Sequence, residues 1–170
     1  MLATTLMAML PACEEDDSPT APPATAPTLV LNPSAEDRAS LDAAISVVDN
    51  AWNAMDPAAY AANFASDVRF TSPLGVPFVG RAAVQSGHQG LFGGPYRGSR
   101  RTSVVNDILW LAATRAVVER TNDLTGYAFL PPNVQATQPG ILRTREVLVL
   151  ERRSGAWTIV RSQLTFVPPA

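Results

Sequence analysis

Helical periodicity in this chain stops at Gly93-Gly94-Pro95, and every long apolar run beyond that point has the character of a strand. Before the stop lie three helical stretches and one short hairpin; after it come four strand-length runs. Helices gathered ahead of a meander predict an α+β sandwich, with one sheet face covered and a hollow where the sheet curves away.

The local signals are consistent along the chain. Pro33 precedes Ser34, and Ser34 with Asp37 makes a serine-x-x-acid helix cap. Leu41, Ile45, Val48 and Trp52 then recur at helical spacing. Asp56-Pro57 opens a second, shorter helix with Tyr60 and Phe64 expected on one face. Val68 and Phe70 alternate with Arg69 and Thr71, Ser72-Pro-Leu-Gly75 turns the chain, and Val76 to Val79 returns it. A third helix carries Val84, His88, Leu91 and Phe92 in one stripe. Strands follow over 102–111, 116–124, 141–152 and 157–167, with a proline-bearing loop over 125–140 and a hairpin turn at Ser154-Gly155.

The first 33 residues read differently. Leu2 to Leu10 is an uncharged apolar run, too short to span a bilayer but suited to a signal-peptide core. It lacks the Lys or Arg that normally opens such a signal. Leu10-Pro-Ala-Cys13 resembles a bacterial lipobox, which implies cleavage before Cys13 and lipidation of that cysteine. The alternative is a chance cysteine after an apolar stretch. Glu14 to Asp17 are acidic, and 18–33 is rich in Pro, Ala and Thr, a composition that forms an extended tether rather than a core. The expected organisation is a signal over 1–12, a lipidated tether over 13–33 and one domain over 34–170. The expected address is the bacterial envelope, at the outer membrane if the cell has one.

Net charge is −2 and all thirteen basic residues are Arg, in small clusters without interleaved aromatics. Nucleic-acid binding is therefore not expected, and the Arg clusters read as solvated strand and loop charges. One His and one lipidated Cys cannot build a closed zinc set, and no phosphate-cradling glycine loop is present, so no metal or cofactor is expected.

Asn53-Ala-Met-Asp56, Phe64-Ala-Ser-Asp67, Ser72-Pro-Leu-Gly75 and Gly80-Arg-Ala-Ala-Val84 resemble the first half of SnoaL-like domains and ketosteroid isomerases. Gly155-Ala-Trp-Thr-Ile-Val160 with Gln163 resembles their closing hairpin, in particular the SgcJ/EcaC-type branch of this nuclear transport factor 2-like superfamily. The resemblance covers about residues 36–168. It implies a cone of three helices packed on a strongly curved antiparallel sheet, and a homodimer through that sheet. It does not imply one chemistry, because the fold hosts isomerases, cyclases, dehydratases, epoxide hydrolases and binding modules. Ketosteroid isomerases place a general-base Asp where this chain has Ser72, and an oxyanion-hole Tyr where it has Val48. Isomerase chemistry of that kind is therefore disfavoured. The Asp-Arg-Asp set of limonene epoxide hydrolases has no matching local motif around Asp107, Glu119, Arg120 or Arg143.

Candidate residues follow. His88, the lone histidine, sits on an apolar helical stripe and is either a base, acid or ligand contact, or a buried structural histidine. Asp107 interrupts an apolar strand; facing inward it would partner His88, facing outward it is ordinary. Trp52, Tyr60, Phe64 and Trp110 are expected in the core, in part as cavity wall, and Gln163 as a polar cavity group sharing a face with Trp157 and Ile159. The expected function is the holding of a small, mostly apolar molecule. The alternatives are acid/base catalysis by His88 with Asp107 on a carbonyl or cyclic substrate, and a dimerising interaction module.

Overall fold

The computed structural model describes residues 32–169; the expected signal, Cys13 and nearly all of the tether lie outside them. Helix α1 (Ala35–Asn53) starts at Ser34, whose hydroxyl oxygen accepts from the Asp37 N–H at 3.0 Å. Its buried stripe is Leu41, Ile45, Val48, Ala51 and Trp52, the spacing that puts one helical face on a sheet. Helix α2 (Pro57–Ala62) is capped by Asp56, which accepts from the N–H groups of Ala58 and Ala59 at 2.9 Å. No described helix is long and apolar enough to cross a membrane.

Phe64 departs from expectation: it opens strand β1 (Phe64–Thr71) instead of extending α2. The side-chain amide of Asn63 folds back to donate to the carbonyls of Ala59 and Tyr60, which closes the helix one residue earlier. Strand β2 (Pro77–Val79) completes the hairpin, and α3 (Arg81–Gly93) follows through Gly80. Gly80 has φ +86°, and a Cβ there would stand 3.1 Å from the Ser66 carbonyl oxygen, so both conformation and space favour glycine.

Strands β3 (Arg100–Ala112), β4 (Arg115–Thr125), β5 (Leu142–Arg153) and β6 (Ala156–Phe166) form the meander. Ser154 and Gly155, at φ 51° and 84°, make the tight β5–β6 turn whose twist suits a hairpin. The six strands form one curved, open sheet in the order β2-β1-β6-β5-β4-β3. Every neighbouring pair is antiparallel except β1 with β6, which is parallel. The expected all-antiparallel sheet is thus a mixed one, because the free edge of the meander is taken by a strand that precedes it in sequence and runs alongside it.

All three helices lie on one face of the sheet: α1 packs on β3 and β6, α3 on β1 and β2, and α2 between the other two helices. Leu148, Leu150, Val118, Ala116 and Ile159 form the sheet's contribution to the core, each essentially removed from solvent. A fully buried Leu or Ile of this kind contributes about 1.5–3 kcal/mol.

Two β-bulges decide which residues face that core. In β3, Val105 pairs with Arg120 and Asp107 with Glu119, so Asn106 is the extra residue. In β6, Leu150 pairs with Ile159 and Val149 with Arg161, so Val160 is extra and both Ile159 and Val160 are buried. Side chains downstream of each bulge face opposite to the sides that strict alternation predicts.

Candidate functional site

Between the helices and the inner face of the sheet lies a cavity of about 230 Å³. Trp52, Tyr60, His88 and Leu91 enter it from the helices, and Phe70, Ser72 and Phe78 from the β1–β2 hairpin. Arg101, Asn122, Thr144, Leu164 and Phe166 form the sheet side. The 126–141 loop donates from the N–H groups of Ala128 and Phe129 to the Pro95 carbonyl, and brings Pro131 into the cavity wall.

His88 is 4% exposed and boxed by rings: the centroids of Tyr60, Phe70, Phe92 and Trp52 lie at 4.1, 5.5, 5.7 and 5.8 Å. Its Nδ1 is 2.8 Å from the Val84 carbonyl oxygen, one helical turn back. A carbonyl can only accept, so Nδ1 carries the proton and neutral Nε2 keeps a bare lone pair. Burial pushes the imidazole pKa down to about 4, a bias that the Val84 carbonyl only partly opposes and Arg101 reinforces. His88 is neutral at physiological pH. Tyr96, also in the wall, is pushed up to about 12 by burial and stays a phenol.

The inner end of the cavity is ionic. Asn53, at the end of α1, clamps the start of β3: its amide nitrogen donates to the Arg101 carbonyl at 2.9 Å, and its oxygen accepts from the Arg101 N–H at 2.7 Å. This holds the Arg101 guanidinium 4.7 Å from the Trp52 ring centroid and 5.5 Å from that of Tyr60, in cation–π range. Arg101 Nη2 is 2.6 Å from Asp49, while Arg101 Nε is buried with no hydrogen-bond partner among the described residues. Behind it, Arg120 reaches Asp49 at 3.2 Å and donates to Glu146 at 2.7 Å. Glu146 also accepts from Asn122 at 2.9 Å and Ser162 at 2.8 Å. Burial alone would raise the Glu146 carboxyl, but Arg120 and Arg101 outweigh it and hold it below the ordinary range. Two cations and two carboxylates therefore meet at this end, and Arg101 alone of the four reaches the cavity wall.

The residues expected at the site divide three ways. Trp52, Tyr60 and His88 line the cavity together. Phe64 and Trp110 are buried but lie outside its wall; Phe64 stacks beneath Tyr60 and Trp110 against Trp157. Asp107 and Gln163 face the open side of the sheet, and here the bulges overturn the sequence expectation: Asn106 rotates Asp107 outward beside Glu119, and Val160 rotates Gln163 outward while Ser162 and Leu164 turn in. The His88–Asp107 pair is not assembled. Ser72 does line the cavity, and Val48 is core. Among the described residues no three His, Cys, Asp or Glu side chains cluster as metal ligands.

Arg101 and Arg120, expected as solvated charges, are buried at 5% and 1% exposure. The phase of the strands carries the signal that finds them. Ala116, Val118, Arg120, Asn122 and Leu124 share one face, and Leu142, Thr144, Glu146, Leu148 and Leu150 face the same way next door. An Arg and a Glu at apolar-phase positions of neighbouring strands mark a buried pair.

Residues 46–159 match the SnoaL-like domain family. No protein of curated function matches the chain. Solved structures with the same fold include a protein of Caulobacter vibrioides with a cystatin-like fold, 21% identical over 79% of this chain and 92% of that one, TM-score 0.66. A ketosteroid isomerase-like protein from Erwinia carotovora atroseptica is 18% identical over 80% and 100%, TM-score 0.65. A domain of Nostoc punctiforme with a cystatin-like fold is 19% identical over 78% of each chain, TM-score 0.64. At these identities the likeness concerns the fold, and the family rests on the match over two-thirds of the sequence: the chain belongs to the SnoaL-like domain family.

Proposed function

We propose that this domain is a binding module that holds a small, mostly apolar molecule in its cavity, on a chain tethered to the cell envelope through Cys13. The observation that carries the reading is the cavity itself: an aromatic and aliphatic wall interrupted by a few fixed polar groups, the usual make-up of a small-molecule site. Its volume of about 230 Å³ lies below the ~300–1,000 Å³ of pockets for drug-sized ligands, which favours a molecule of one or two rings. The outward position of Asp107 removes the partner that the His88 acid/base reading required.

A thermal-shift screen of the chain against small envelope metabolites tests the binding reading. A ligand at a hundredfold excess over its Kd stabilises by about 2.7 kcal/mol, a rise of about 8 °C for a domain of this size. Leu164→Trp, which fills the cavity from β6, should keep the fold by circular dichroism and abolish that rise. A rise that survives Leu164→Trp would place binding elsewhere. For the tether, mass spectrometry of the exported protein should find diacylglycerol on Cys13 as the first residue, and an unmodified Cys13 would refute it.

The open face of the sheet supports a second, compatible reading, a homodimer. Val104, Leu109, Leu111 and Val147 are 41–60% exposed there, an apolar patch of the kind that marks an interface. Sedimentation equilibrium should give twice the monomer mass, reduced to one by Leu109→Asp with Val147→Asp.

A further inference from the structure

Two groups in the cavity wall, of opposite kind and packed against the same two rings, keep a nitrogen without a partner among the described residues. We propose that its ligand carries a hydrogen-bond acceptor and a hydroxyl at one end of an otherwise apolar body, a hydroxy-carbonyl head, with the carbonyl oxygen on the Arg101 guanidinium and the hydroxyl donating to His88 Nε2. This deepens the cavity-binding reading and rests on it.

The acceptor half comes from Arg101. It is the one charged side chain in the cavity wall, it is 95% buried, and its Nε has no partner among the described residues. An unmet buried donor is costly, and an oxygen supplied by a ligand relieves it. Arg101 cannot drift away to find one, because the Asn53 clamp and its contact with Asp49 fix it at both ends. The ionic cluster that Arg101 belongs to is already neutral, with Arg101 and Arg120 facing Asp49 and Glu146. A carboxylate head would add an unbalanced charge, so a neutral carbonyl fits better.

The donor half comes from His88. Its Nδ1 proton is committed to Val84, so the group it turns to the cavity can only accept. A bare ketone or ether would oppose lone pair to lone pair there; a hydroxyl satisfies it. His88 and Arg101 each sit against both Trp52 and Tyr60, so the two groups address the same end of the cavity. Phe70, Leu91, Leu164 and Phe166 offer apolar contact to the body of the ligand.

Four probes with one carbon skeleton test this on the full chain by calorimetry: 2-hydroxy-1-phenylethanone, acetophenone, 2-phenylethanol and ethylbenzene. The hydroxy-ketone should bind tightest. Loss of the carbonyl should weaken binding about tenfold or more, as for a bond to a charged donor, and loss of the hydroxyl about threefold to tenfold. His88→Phe keeps the aromatic packing and should erase only the hydroxyl's advantage. Arg101→Lys keeps the charge but removes Nε, and should erase the carbonyl's advantage while the hydroxyl's survives. If ethylbenzene binds as tightly as the hydroxy-ketone, this proposal is wrong and the apolar cavity reading stands. If no probe binds at millimolar concentration, both fall.

Discussion

Two neighbouring parts of the interior solve the burial of polar groups in opposite ways. His88 is alone among aromatic rings and gives up its charge; burial carries its pKa to about 4, and one bond to Val84 satisfies the nitrogen that keeps a proton. Arg120 and Glu146, on facing strands, keep theirs. Each ion supplies the other's compensation, with Asp49, Asn122 and Ser162 adding further bonds and only Arg120 Nη2 left without one among the described residues. A single ionisable group in an apolar box neutralises, whereas a matched pair with most of its bonds filled stays ionised. Arg101 sits where the two regimes meet, ion-paired on one side and open to the cavity on the other.

Breaking the pair should have the largest effect. Glu146→Ala leaves Arg120 buried with only Asp49, a carboxylate it shares with Arg101, and should cost about 3–5 kcal/mol in urea unfolding. Replacing both at once, Arg120→Met with Glu146→Leu, should recover most of that loss, since no charge is then stranded. If the double variant is no better than the single, the cost lies in packing rather than charge.

The histidine should show itself through pH. Its folded pKa is depressed below the ordinary 6.5, so the unfolded chain binds the proton first; stability is complete above pH 6.5 and falls as pH drops toward 4. Between pH 6.5 and 4.5 the loss should be about 2 kcal/mol. In His88→Phe most of that slope should vanish, leaving the shallower fall below about pH 5 that Glu146 and the other paired carboxylates contribute, as read from urea midpoints at several pH values. An unchanged slope would assign the titration to another group.

The smallest effect is expected outside both regions. Asp107→Asn should shift stability by less than about 0.5 kcal/mol, toward the stable side, because Asp107 faces Glu119 across the strands. It should leave ligand binding untouched. A loss of binding in this variant would return Asp107 to the site.

Much of this was legible in the sequence. The Ser34 and Asp56 caps, the stripe from Leu41 to Trp52 and the Ser154-Gly155 turn are local chemistry and fall where the pattern puts them. Trp52, Tyr60 and His88 were legible as cavity residues because a helix of fixed period carries one face inward. Asp107, Gln163, Arg101 and Arg120 were not. For the first two, the outcome turned on one extra residue in a strand, which side-chain alternation alone does not reveal. For the arginines, composition pointed to solvent, and only the register of β3 to β5 brings each beside its carboxylate and Trp52.

The bulges at Asn106 and Val160 behave as frameshifts written into the strands. Upstream of Asn106 the odd-numbered residues of β3 look inward; downstream the even-numbered ones do, among them Ile108 and Trp110. Each strand is thus two texts in different reading frames joined at one letter. Straightening the strand while keeping that letter would leave every residue in place along the chain and yet exchange inside for outside over the rest of the strand, carrying Asp107 into the core and Trp110 into water. Deleting Asn106 would instead close the bulge and leave each remaining side chain on its present face, so variants of this domain are best aligned on their bulges before their side chains are compared.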